Sequence, residues 1–199
     1  MPNLRQKIDP RVRRTRKLIK QAFIDIMMDK GFDAMSVQDI ADQAEINRAT
    51  FYAHYTDKFD LHDHMLKQWF QEKLNHYDVT ADKQFCGDTL RSLIFAVCDF
   101  QAQLNQGCHP MDMQYKPAIE DLIQSEIYSI VHQWMQSLDG ITHSDIVATA
   151  ISWSIFGAGA QWSRNPQHSK AIVADTVIAM IRDGLKSQVT TLPTLSLSN

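Results

Sequence analysis

Two short helix-forming segments, separated by only three residues, lie within residues 36–55. Ser36 is a suitable N-cap for the first helix, and Asp39 stands three residues later, where it can complete a capping box. The intervening turn ends at Asn47, which can cap the second helix in the same way. Helices this short need tertiary packing, so the segment predicts a helix-turn-helix inside a small helical domain.

The rest of the chain is also patterned for helices. Glycine and proline are scarce, at 7 and 6, and they separate segments whose apolar residues recur at helical spacing. Gly31 is expected to end the first helix, and Ser144 is expected to cap the seventh. Helices are predicted at about residues 10–30, 37–44, 48–55, 57–77, 88–106, 117–138, 144–164 and 169–187.

Charge is distributed unevenly along the chain. The net charge is −3, yet the first twenty residues carry eight basic side chains and one acidic side chain. A basic end on an acidic remainder is expected where that end meets a polyanion. The run Arg11, Arg13, Arg14, Arg16 and Lys17 suits a DNA backbone or minor groove. The alternative is an ordinary solvated arm, and the nearby helix-turn-helix favours the DNA interpretation.

The second helix of the motif carries side chains that can read DNA. Arg48 at its start can donate to guanine in the major groove. Thr50, Tyr52 and His54 can reach phosphates or base edges. Lys58, at the start of the following helix, can hold a phosphate with its charge and the helix N-terminal amides. Similar spacing occurs in helical domains that bind nothing, and Tyr52 could also be a packing residue.

A long, ordered motif carries a family resemblance. It consists of GFDAMSVQDIA at residues 31–41 and AEINRATFYAHYTDK at residues 44–58. It resembles the DNA-binding signature of the TetR family of bacterial transcriptional regulators, over roughly residues 12–62. The resemblance implies a helical effector-binding body, a homodimer and a pseudo-palindromic operator. By position it implies DNA contacts from Gln38, Asn47, Arg48, Ala49, Thr50, Tyr52, His54 and Lys58.

Two positions depart from the family pattern. Glu45 stands where family members usually have glycine in a left-handed turn, a conformation that costs a non-glycine residue about 1 kcal/mol. Ala49 stands where glycine is frequent, and its methyl group could contact a thymine methyl or simply stiffen the helix.

These observations define the predicted organisation. The fold class is all-α, with an N-terminal three-helix helix-turn-helix DNA-binding domain at residues 1–57. A C-terminal helical-bundle effector-binding and dimerisation domain is predicted at residues 58–189, followed by a tail at residues 190–199. The helix at 144–164 is rich in small residues, which favours close helix packing within a subunit or, with the last helix, across a dimer interface.

All four tryptophans and most methionines lie in the predicted body. Aromatic and methionine side chains can line an apolar ligand pocket, although core packing is their more common role. The candidate ligand-binding residues are Phe95, Met113, Tyr128, Trp134 and Trp153. They favour an apolar or aromatic small-molecule effector.

The sequence predicts no metal site, cofactor, catalytic residue or membrane span. His62 and His64 are two residues apart and fall on different faces of a helix. Cys86, Cys98 and Cys108 form no C-x-x-C pair, and no signal peptide is evident, so a cytoplasmic location is expected. A nucleophile elbow, an H-E-x-x-H motif and a phosphate-binding loop are all lacking, so an enzyme is not expected, although a helical enzyme with unfamiliar chemistry stays open.

The leading hypothesis is a ligand-responsive repressor that a small-molecule effector releases from its operator. The alternative is a DNA-binding regulator controlled by a protein partner. Loss of operator binding on addition of a small molecule would separate the two.

Overall fold

The computed structural model describes residues 9–106 and 116–186. Within those residues the chain forms eight helices and no strand, which confirms the predicted all-α class. The predicted tail at 190–199 and Met113 lie outside the described residues. The helices are α1 (Pro10–Ala34), α2 (Val37–Gln43), α3 (Arg48–Tyr52), α4 (Lys58–His76), α5 (Gly87–Gln106), α6 (Lys116–Gln136), α7 (Ser144–Arg164) and α8 (Lys170–Lys186).

The helices belong to two compact units that divide within α4, between Met65 and Leu66. The first unit contains α1, α2, α3 and the beginning of α4. The second contains the remainder of α4 and helices α5 to α8. The boundary predicted at residues 57–58 falls at the start of α4, whereas the two units divide further along that helix, after Met65.

The core of the first unit fixes the orientation of α3. α1 packs against α2, and α2 packs against α3. Phe51 of α3 is fully buried, which stabilises by about 1.5–3 kcal/mol a helix too short to be stable alone. The buried apolar set of this unit is Ile19, Ala22, Phe23, Ile26, Met27, Phe32, Met35, Ile40, Ala41, Ala44, Phe51, Tyr55, Leu61 and Met65.

The regular part of α1 ends where the sequence predicts. Gly31 adopts φ 79° and ψ 170°, a non-helical conformation that suits glycine, so Phe32–Ala34 form a separate short turn. At the other end, the Asp9 carboxylate accepts a hydrogen bond from the Arg11 amide at 2.8 Å, and Pro10 occupies the first helical position.

The second unit is built around α5, which packs against both α7 and α8. Its closest approach to α7 requires glycine, because a Cβ atom on Gly159 would lie 2.8 Å from the Cγ1 atom of Val97. The small residues predicted in α7 therefore serve packing within one subunit at this position. Gln101 of α5 is buried, and its amide donates to the Phe156 carbonyl of α7 at 3.1 Å.

The start of α7 differs from the prediction. The residue that precedes the helix is His143, in a left-handed conformation with φ 55° and no side-chain capping bond. Ser144 is already helical, so its predicted capping role is wrong. Among the described helices, none is long and apolar enough to cross a membrane.

Candidate nucleic-acid interface

The start of α2 is held by the predicted capping box. The Ser36 hydroxyl accepts from the Asp39 amide at 3.2 Å, and the Ser36 amide donates to the Asp39 carboxylate at 2.8 Å. The Lys30 ammonium lies 2.8 Å from the same carboxylate. The hydrogen bonds from Lys30 and then Ser36 hold the pKa of Asp39 well below its usual range, so this cap stays ionised at physiological pH.

The turn after α2 is a Schellman motif. The amide of Ile46 donates to the Ala41 carbonyl at 2.9 Å, and the amide of Glu45 donates to the Asp42 carbonyl at 3.1 Å. This pattern places Glu45 in the left-handed position, with φ 54°. The turn is therefore not reshaped to suit Glu45, which adopts the left-handed conformation that costs a non-glycine residue about 1 kcal/mol.

Asn47 begins α3 as predicted. Its side-chain oxygen accepts from the Thr50 amide at 2.7 Å and from the Thr50 hydroxyl at 3.0 Å. The side-chain oxygen of Asn47 and the hydroxyl of Thr50 are thus both engaged in the helix cap. A DNA contact by Asn47 or Thr50 would use the remaining amide hydrogens or lone pairs.

The outward face of α3 carries Arg48, Ala49 and Tyr52, all exposed. The Arg48 guanidinium donates to the Tyr52 hydroxyl at 3.1 Å and lies 5.7 Å from the centre of its ring. This contact pre-orders a long, flexible side chain while leaving most of its five N–H donors available. Because Phe51 is buried on the opposite side, the rotation of α3 that exposes this pair is fixed by the core.

Two further predicted contact residues flank α3. Gln38 is exposed on α2, and its amide donates to Asp42 one turn later at 2.7 Å. His54 follows α3 and is partly buried. Burial, and then the charge of Arg16, lowers the pKa of His54, so its imidazole is neutral at physiological pH.

Lys58 has a structural role that the sequence did not indicate. Its ammonium donates to the carbonyl oxygens of Phe32, Asp33 and Met35, at 2.9, 3.2 and 2.8 Å. These bonds satisfy carbonyls at the end of α1 and occupy all three ammonium hydrogens. The predicted phosphate contact stays a prediction and would require at least one of these bonds to be exchanged. The sequence feature that could have pointed to this role is Gly31, because a helix that is interrupted there leaves backbone carbonyl groups without intrahelical hydrogen-bond donors.

The predicted ligand-binding residues contact different partners. Trp134 is fully buried beside Phe85, and its indole donates to the Thr80 carbonyl at 3.3 Å. Trp153 is 50% exposed and contacts Phe156 within α7. Phe95 packs near Tyr77, and Tyr128 stacks on His132. These contacts do not gather the four described candidates into one pocket.

A polar cluster in the second unit was not anticipated. The Lys170 ammonium of α8 lies 2.6 Å from the Asp99 carboxylate of α5 and 3.2 Å from the Tyr77 hydroxyl, which itself donates to Asp99. Burial alone would raise the pKa of Asp99, but the hydrogen bonds from Lys170 and Tyr77 outweigh it and lower that pKa. Residues this far apart in sequence carry no local signal of pairing.

The capping box, the Schellman turn and the exposed face of a short second helix define a helix-turn-helix. Residues 21–65 match the family model described as bacterial regulatory proteins, tetR family. Residues 21–65, within the first unit, are therefore similar to the DNA-binding domain of the TetR family of bacterial regulatory proteins.

Named relatives agree with this assignment. The uncharacterized HTH-type transcriptional regulator YxbF of Bacillus subtilis (strain 168) is 34% identical over 85 residues, or 41% of this chain and 22% of that protein. DhaS, the dhaKLM operon transcriptional activator of Lactococcus lactis subsp. lactis (strain IL1403), is 34% identical over 61 residues, covering 31% and 33%. The chain thus spans about a quarter to a third of the length of these curated relatives.

The fold extends beyond the matched domain. A solved structure of a dihydroxyacetone kinase operon activator, DhaS, superposes with a TM-score of 0.57 over 88% of this chain and 98% of that one. At 17% identity, this likeness concerns the fold alone.

Proposed function

We propose that this chain regulates transcription by binding operator DNA with α3 in the major groove. The observation that carries the proposal is the exposed Arg48–Tyr52 pair on a helix whose opposite side is anchored by buried Phe51. Arg48 reads a base edge, and the remaining contacts position the domain. The proposed DNA contacts are made by Gln38, Asn47, Arg48, Ala49, Thr50, Tyr52, His54 and Lys58, the last of which also supports the end of α1.

The experiment compares Arg48→Ala with Lys67→Ala, a change at an exposed cation of the second unit. Genomic fragments selected by the purified protein supply the operator. Arg48→Ala should weaken operator binding by about 1–3 kcal/mol and relax the preference at one position of each half-site. Lys67→Ala should leave both unchanged. An Arg48→Ala protein with an intact sequence preference would contradict the assignment.

A homodimer completes the proposal. Exposed apolar side chains follow one face of α7, at Ile146 and Trp153, and one face of α8, at Ile172 and Met180. Their exposed fractions are 63%, 50%, 52% and 67% in a single chain. A second copy covers this face by pairing α7 and α8 with their own equivalents, and the resulting twofold axis suits a pseudo-palindromic operator.

Repression, released by an apolar or aromatic effector, is the form of regulation we propose. Repression requires only that a dimer occupy the promoter, whereas activation requires a further surface for the transcription machinery. The effector proposal rests on the aromatic content of the second unit. The named relative DhaS is an activator, so expression of a reporter fused to the selected promoter must decide between repression and activation.

A further inference from the structure

His62 is an anomaly in the core of the DNA-binding unit. It lies on α4, one residue after fully buried Leu61, and is only 4% exposed. Its neighbours from α1 are the rings of Phe23 and Phe32, with centroids 6.1 and 5.2 Å from the imidazole. An ionisable side chain therefore occupies a position at which the surroundings would suit a leucine or phenylalanine.

One imidazole nitrogen of His62 lacks a hydrogen-bond partner within residues 9–106 and 116–186. The Nε2 atom of His62 is buried and has no hydrogen-bond partner among the described residues. The Nδ1 atom faces the carboxylate of Asp63 at 3.6 Å, and that carboxylate is itself largely exposed. A neutral ring tolerates this environment, whereas a charged ring would bury a second N–H group without an acceptor.

Among the described residues, few charged groups near His62 offset the cost of burying a charged imidazole. Asp63 favours the protonated ring, but α1 presents aromatic carbon rather than a carboxylate. The nearest cation on α4, one turn earlier, is Lys58, whose ammonium lies 4.7 Å from the centre of the Phe32 ring. Burial, opposed by Asp63, lowers the pKa of His62.

We infer that His62 makes the folding of the DNA-binding unit sensitive to pH, so that acidification opens this unit and releases it from DNA. In the unfolded chain the imidazole takes up a proton as the pH falls through about 6.5. In the folded unit it stays neutral to a lower pH. The contribution of His62 to stability is therefore constant above about pH 7.5 and falls as the pH drops below about 7, towards the lowered pKa of the folded state.

The pH range of this effect distinguishes it from general acid unfolding, which results from the protonation of carboxylates. The carboxylate of Asp39, which caps α2, has a lowered pKa and loses its contribution only under much stronger acid. One proton taken up on opening changes the opening equilibrium by at most about tenfold per pH unit. The release from DNA rests on the proposed function, whereas the opening does not.

The test measures amide hydrogen exchange within residues 19–65 of the full chain between pH 8 and 5.5, corrected for the intrinsic exchange rate. The wild-type opening constant should rise by up to about tenfold per pH unit below pH 7. His62→Leu should remove most of this rise, and the remainder should disappear when His54, the other imidazole of this unit with a pKa lowered by burial, is changed to Gln as well. His64→Leu is the matched control, because His64 lies two residues away with its side chain 60% exposed, and it should behave as wild type.

A wild-type profile that is flat, or one that His62→Leu leaves unchanged, would overturn the inference. If His62→Leu fails to fold, ring-nitrogen NMR of the wild type decides: a neutral His62 at pH 6 supports it, and a charged ring in the folded unit refutes it. Operator binding is compared between the wild type and His62→Leu, which both keep His54, so that any effect of protonating His54 on a phosphate contact is common to the two proteins. Acid-dependent opening without acid-dependent release would refute the functional half alone.

Discussion

At the scale of single residues, Glu45 shows how a local departure from a pattern is tolerated. The Schellman bonds from the amides of Glu45 and Ile46 require a left-handed residue after α2, and the side chain at this position opposes that conformation. The hydrogen bonds and the packing of α2 and α3 outweigh a strain of about 1 kcal/mol. The turn therefore keeps its geometry without glycine.

Replacing this residue should relieve the strain. Glu45→Gly should stabilise the first unit by up to about 1 kcal/mol, reduced by the greater freedom of glycine in the unfolded chain. Glu45→Ala is the control, because it removes the carboxylate and keeps the Cβ atom, and it should give no gain. Thermal unfolding of the three proteins checks this, with about 4–8 °C expected per kcal/mol in a domain of this size. Equal melting temperatures for the glycine and alanine variants would rule out backbone strain.

At the scale of elements, the helices and most of their ends follow from the sequence. Gly31, Ser36 and Asn47 act on neighbours within a few residues, so their roles could be predicted from the sequence and are confirmed. Ser144 was misassigned because a left-handed residue, His143, begins α7 with backbone geometry alone. The bonds of Lys58 join positions more than twenty residues apart, which local patterns do not reveal.

The apolar face of α7 and α8 leads to the prediction at this scale. Trp153→Arg and Met180→Glu should each convert the proposed dimer to monomers, because each puts a charge on a face that pairing would bury. Arg164→Ala, at the exposed end of α7, is the control and should remain dimeric. Sedimentation at micromolar concentration measures the outcome, with circular dichroism to show that the helices persist. Dimers that survive both charged substitutions would place the interface elsewhere.

At the scale of the whole molecule, far more of the first unit than of the second could be predicted from the sequence. The first unit carries a long ordered motif, whereas the predicted pocket residues of the second were chosen by type. Trp134 proved to be a core residue and Trp153 lies on the exposed face of α7. Residue type alone does not distinguish packing, pairing and ligand contact, because all three favour the same large apolar side chains.

The proposed effector makes a reciprocal prediction. A ligand that lowers operator affinity 5–150-fold, or about 1–3 kcal/mol, must itself bind more weakly by the same factor when operator is present. Tryptophan fluorescence reports the ligand selectively, since all four tryptophans follow Met65 and none lies in the DNA-binding unit. Apolar and aromatic compounds are titrated with and without operator. A fluorescence response that operator does not weaken would indicate binding without coupling, and favour control by a protein partner.

The hydrogen bonds of the Lys58 ammonium limit which residues can replace lysine at this position. Three carbonyl oxygens converge on a single nitrogen, a tripod that an ammonium group can fill with one hydrogen each. A guanidinium spreads its donors in a flat fork and cannot point three of them at one such focus. Arginine would conserve the charge and lose the geometry, so a substitution that keeps the charge at this position should still leave carbonyls at the end of α1 without donors.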